Sequence, residues 1–76
     1  MNKGTRDEVV AIINSRFEAI DASFSEGLRG ELMMAIDLAG LTGAIDIPKQ
    51  RSYMERLNQA IERNNAAWLA ANGRVA

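Results

Sequence analysis

The chain has 76 residues, 47% of them hydrophobic, with neither cysteine nor histidine and a formal net charge of −1. That length allows one domain with a small core. The two missing residue types exclude disulfides, thiolate sites and the commonest metal ligand, which leaves oligomerisation as the usual stabiliser of so short a chain.

The small net charge conceals an asymmetry. Residues 1–47 carry four basic and eight acidic side chains, whereas residues 48–76 carry five basic and two acidic. Either an acidic front half packs against a basic last helix, or the last helix meets an anion. Of the 36 hydrophobic residues 12 are alanine, which marks helix more than core, but large apolar residues recur throughout and argue against a disordered chain. No apolar stretch approaches a membrane span, and MNKGTRDEVV has no signal-peptide core. A soluble cytoplasmic protein without membrane contact is the expectation, and the lack of cysteine agrees with a reducing compartment.

The first helix is predicted over about 6–26. Thr5 is placed to cap it, with Glu8 three residues on as a capping box requires. Val10, Ile13, Phe17, Ile20 and Phe24 follow at steps of three and four, the rhythm of a heptad seam. Gly27 is the expected stop. The second helix, about 28–40, carries Leu28, Leu32, Ala35 and Ala39 as one stripe, widened by Met33, Ile36 and Leu38. A helix apolar around so much of its girth is expected to be buried on more than one side and central to the core. Gly30 and Gly40 weaken its ends.

LTGAIDIPKQ is the next connection. Gly43 punctuates it, Asp46 is placed to cap the following helix, and Pro48 is tolerated in a first turn. Ile45 and Ile47 are expected to tuck inward. The third helix is predicted over about 48–72, roughly 35 Å long, with Gly73 at its C-cap. Its seam is Met54, Leu57, Ile61, Asn64, Trp68 and Ala71, flanked by Tyr53, Ala60 and Ala67. A helix this long outruns a small core. As a seam residue Trp68 is expected to be substantially buried. Residues 1–4 and 74–76 are expected to fray.

Catalytic chemistry has few groups to draw on. The available bases are carboxylates, tyrosine and the two lysines, Lys3 and Lys49. Ser15, Ser23, Ser25 and Ser52 have no base partner in the pattern, and without histidine the usual nucleophilic triad is excluded. Asp37 and Asp46 flank an apolar turn and read as capping or solvated groups. GLTGAID lacks the lysine of a phosphate loop. The pairs Asp7/Glu8 and Glu18/Asp21 read as solvated helix faces rather than a carboxylate metal site. No enzyme activity, cofactor or metal is expected.

Two stretches resemble known families. LAGLTGAIDIPKQRSYMERL resembles the helix-turn-helix of MerR-type regulators through Leu38-Ala39, Thr42-Gly43, Arg51, Tyr53 and Glu55, over about 20 of 76 residues. It departs from them in a longer apolar turn, the lack of a following β-wing and a net acidic chain. That resemblance implies a DNA-binding transcriptional regulator. Independently of it, Lys49, Arg56 and Arg63 are spaced by seven and form one stripe on the outside of the third helix with steps of about 10.5 Å, the candidate contacts for an anion. LNQAIERNNAA resembles the closing helix of small phage-encoded, oligomeric helical sponges that sequester cyclic-nucleotide signals. It implies a phage or mobile-element protein that binds and blocks a host component, and it transfers no binding residues to this chain.

The expected architecture is a single all-α domain, a three-helix up-down-up bundle. If the second helix merely extends the first, the result is a helical hairpin that needs a partner. The expected function is a non-enzymatic interaction protein, with a DNA-binding regulator or a nucleotide sponge as alternatives. Its expected partners are a second copy and a host protein; nucleic acid is the less favoured partner. The expected interface is Ala60, Ile61, Asn64, Ala67, Trp68 and Ala71, with Asn64 facing Asn64 or a backbone carbonyl in a homodimer, where a polar seam residue sets register.

Overall fold

The computed structural model describes residues 2–72 and contains three helices, α1 (Lys3–Ala22), α2 (Glu26–Leu41) and α3 (Ile47–Asn72). Each begins at a residue able to cap it. The Thr5 N–H donates to Asn2 Oδ1 at 2.8 Å, so Asn2 is the N-cap of α1 and Thr5 lies inside its first turn. This corrects the expected Thr5 cap. Asparagine caps as well as threonine does, and starting three residues earlier draws Lys3 and Gly4 into the helix instead of leaving them frayed. Met1 and residues 73–76, including the Gly73 cap and the frayed 74–76, lie outside the described residues.

The junction of α1 and α2 also differs from expectation. α1 stops at Ala22, and Ser25 caps α2 by accepting the Leu28 N–H at 3.0 Å. Gly27 therefore sits in the first turn of α2 rather than ending α1. Phe24 continues the seam's rhythm but reaches the core from the connection, half-buried. Its periodicity reports packing and not helix. A Glu26–Arg29 pair at 2.8 Å spans the first turn of α2.

α2 ends in a Schellman motif. The Ala44 N–H donates to the Ala39 carbonyl at 2.9 Å, and the Gly43 N–H to that of Gly40 at 3.3 Å. Gly43 carries φ +77°, the left-handed conformation this turn demands. Gly43→Ala should destabilise the fold by about 1 kcal/mol, read as a lower denaturant midpoint at unchanged slope. Asp46 then caps α3, accepting the Lys49 N–H at 2.8 Å, with Pro48 in the first turn. Ala44 and Ile45 are buried, but Ile47 is 66% exposed. Only half of the expected inward tuck occurs, because Ile47 begins α3 on its outer side. Gly40 lies under the Gln50 side chain, and a methyl group there would come within 2.5 Å of it. α2 and α3 thus approach closely where their connection starts.

The order is up-down-up. A cleft lined by Arg6 and Val10 of α1 and by Gly43, Ile45 and Lys49 places the start of α1 beside the start of α3. Farther along, Asp21 of α1 pairs with Arg56 and Arg63 of α3. α1 and α3 are therefore parallel, with α2 running back between them. The core is Ile13, Phe17 and Ile20 from α1, Leu32, Ile36 and Ala39 from α2, Ala44 and Ile45 from the turn, and Tyr53, Leu57 and Ala60 from α3. The Phe17 and Tyr53 rings stack at 5.7 Å, and the Arg56 guanidinium lies 4.3 Å from the Phe17 ring centre.

Not all of the apolar girth of α2 is covered. Of the three residues expected to widen the buried stripe, Ile36 is fully buried, but Leu38 is 53% exposed and Met33 lies at the surface, so the widening is corrected to Ile36 alone. Two neighbouring helices cover only part of a helix's circumference. The molecule is elongated, 55 × 20 × 14 Å with a radius of gyration of 14.5 Å, against about 11 Å for a compact chain of this length. The excess lies in α3, about 39 Å long. Ala60 is its last buried residue and Asn64 its last half-buried one; every described residue from Asn65 on is exposed.

Candidate functional site

The residues expected to form an interface divide at the end of the bundle. Ala60 is buried in the chain's own core, and Ile61 and Asn64 are half-buried at its rim. Ala67, Trp68 and Ala71 are exposed on the projecting end of α3, with Trp68 at 60% and its neighbour Leu69 at 56%. The expectation that the seam buries Trp68 fails within this fold, because α1 and α2 end before the seam reaches it. Ala60 is likewise committed to the bundle and not free for another helix.

Residues 64–72, NNAAWLAAN, contain no ionisable side chain. Alanine favours helix, and this stretch is helical to Asn72 while presenting methyl groups, an indole, an isobutyl group and asparagine amides to solvent. A surface helix normally shows a polar outer face; here residues 66–71, AAWLAA, are apolar and exposed without interruption, between Asn64 and Asn65 on one side and Asn72, whose amide donates to the Trp68 carbonyl at 3.1 Å, on the other.

The basic stripe has a different fate. Arg56 Nη2 lies 3.3 Å from Asp21 Oδ2, and Arg63 Nη2 lies 3.1 Å from Asp21 Oδ1. Lys49 Nζ sits 5.2 Å from the Tyr53 ring centre. The two arginines converge on a single carboxylate of α1, so the charge asymmetry joins the front half to the last helix. All three side chains are partly exposed, which limits the strength of the pairing. Asp21→Asn should cost less than about 1 kcal/mol. Denaturant melts at low and high salt check this, and the difference from wild type should shrink as salt rises.

Sequence reasoning missed a second apolar surface. Val9 and Ile12 of α1, Ala35 and Leu38 of α2, and Thr42 just past the end of α2 line an open groove of about 270 Å³. It continues along the same two helices past Met34 to Arg16 and Glu31, which pair at 3.1 Å. No residue of α3 lines either part. The available signal was the apolar residues left over from each seam, Ile12 on one helix and Met34 and Leu38 on the other.

Among the described residues no polar or charged side chain is buried, no buried polar atom lacks a partner, and no three acidic groups converge as a metal would require. No helix among them is long and apolar enough to cross a membrane. Two of the surfaces are predominantly apolar, the α1–α2 groove and the end of α3, whereas the cleft between the starts of α1 and α3 is lined by Arg6, Asp46 and Lys49. No family model matches the chain, and neither does any curated protein or solved structure.

Proposed function

We propose that this chain is a non-enzymatic interaction protein that self-associates through the projecting end of α3 and acts by occupying a surface on another macromolecule. The observation that carries this reading is the tip: nine residues without a charge, bearing Trp68 and Leu69, extended past a bundle that cannot cover them. Burying such a surface is favourable in proportion to its apolar area, and aromatic side chains dominate the energetics of protein interfaces. The likeness of LNQAIERNNAA to the closing helix of phage-encoded oligomeric sponges supports the same reading and points to a host component as the second partner.

Sedimentation velocity from low to high micromolar concentration tests the self-association. The expected result is a monomer that converts to a dimer as concentration rises, with the isolated tryptophan emission shifting to shorter wavelength over the same range. A chain that stays monomeric throughout overturns it.

A further inference from the structure

We infer that the tip of α3 docks in the α1–α2 groove of a second copy, and that two copies exchange this contact reciprocally. The inference rests on the self-association reading and names the surface that receives the tip.

Among the described residues, no other helix of the chain covers either apolar surface. Asp21, near the end of α1, is level with the Arg56–Arg63 stretch of α3. Ile12 lies about 13 Å back along α1 from Asp21, and Trp68 lies about 7 Å beyond Arg63 in the opposite direction. The tip and the groove of one molecule are therefore about 20 Å apart along the bundle axis. The groove also opens on the α1–α2 face that α3 leaves bare. A second copy turned end for end removes the separation. Its α1–α2 layer abuts the first, and each tip crosses the junction onto the other copy's groove. The stripe of Leu57, Ile61, Asn64 and Trp68 already points from α3 toward the α1–α2 side, so the tip presents its indole in the required direction.

Length, charge and area agree. From Asn64 to Asn72 the tip is about 12 Å long, and the groove from Arg16 to Val9 runs about 10 Å along α1. The tip has no ionisable side chain, and the groove's only charged residues, Arg16 and Glu31, are already paired with each other. Docking leaves no new charge buried and unpartnered. A stable interface takes about 800 Å² from each partner. Two turns of helix with one tryptophan and one leucine supply well under that if tip merely meets tip. Exchange into the groove adds Ile12, Met34 and Leu38, each more than half exposed in the single chain, and does so twice by symmetry.

The absence of cysteine makes the test direct. Leu38→Cys, Met34→Cys and Leu69→Cys each replace an exposed side chain, so folding is preserved and circular dichroism verifies it. Mixtures of Leu69→Cys with either groove variant are oxidised mildly at a concentration where wild type sediments as a dimer. The expected product is the mixed disulfide between tip and groove, and Leu38→Glu should weaken self-association at least tenfold. A preponderance of Leu69→Cys homodisulfide places tip against tip, as an Asn64–Asn64 pairing would, and overturns the groove while sparing the self-association. Dimers that give no mixed disulfide with either groove variant and tolerate Leu38→Glu overturn it in the same way. A wild-type chain that never leaves the monomer overturns both.

Discussion

Phe17→Ala should bring the protein to the edge of unfolding. Phe17 is fully buried, stacks on Tyr53 at 5.7 Å and lies beneath the Arg56 guanidinium. Truncating a buried phenylalanine removes its transfer free energy and leaves a void, at a cost of about 3–5 kcal/mol; the lost guanidinium–ring contact adds roughly 0.5–1 kcal/mol. A chain of this size has about 4–11 kcal/mol of stability in total. The ring also carries much of the meeting of α1 with α3, a contact thinner than those of α2 with its two neighbours, so few other side chains hold that pair together once it is gone. Circular dichroism against urea measures the effect. A loss below about 2 kcal/mol would mean that α1 and α3 close on each other without this ring.

Trp68→Ala should do the opposite: spare the fold and disable association. At 60% exposure the indole contributes little to the isolated bundle, so at low micromolar concentration the urea midpoint should stay within about 1 kcal/mol of wild type. As the only tryptophan and the largest side chain of the tip, it has the character of an interface anchor, whose truncation costs about 2–4 kcal/mol of binding. That corresponds to a dissociation constant weakened roughly 30- to 1,000-fold. Sedimentation and low-concentration melts separate the two effects. A variant that loses stability and still self-associates like wild type would return Trp68 to the core and refute its role at the interface.

The three helices were legible because each seam repeats at three and four residues, and because Asp46, Pro48 and Gly43 mark the second connection with one physical meaning each. Legibility failed where two meanings competed. Phe24 kept the seam's rhythm, so α1 read on past Ala22, while Ser25 quietly supplied the cap that restarts the chain as α2. Thr5 matched a capping box, but Asn2 offered an equivalent oxygen three residues earlier. The Trp68 seam position was read correctly as a stripe and wrongly as burial, since periodicity tells which side a residue is on and not how far the neighbouring helices extend. The groove was hidden for a related reason. Ile12 and Leu38 look like surplus core until the bundle's layers show that no third helix covers that side.

The connection between α2 and α3 satisfies its own backbone, from the Ala44 and Ile45 N–H groups on the Ala39 carbonyl to the Asp46 cap, and the helices that pack most closely are neighbours in the chain. Topologies of this local kind fold within microseconds to milliseconds. Protein encounters at micromolar concentration, with ordinary rate constants of about 10⁵–10⁷ M⁻¹s⁻¹, take on the order of 0.1 to 10 s. The bundle therefore completes long before two chains meet, so under the self-association reading the association would join finished bundles, and its rate should scale with concentration while the folding rate does not.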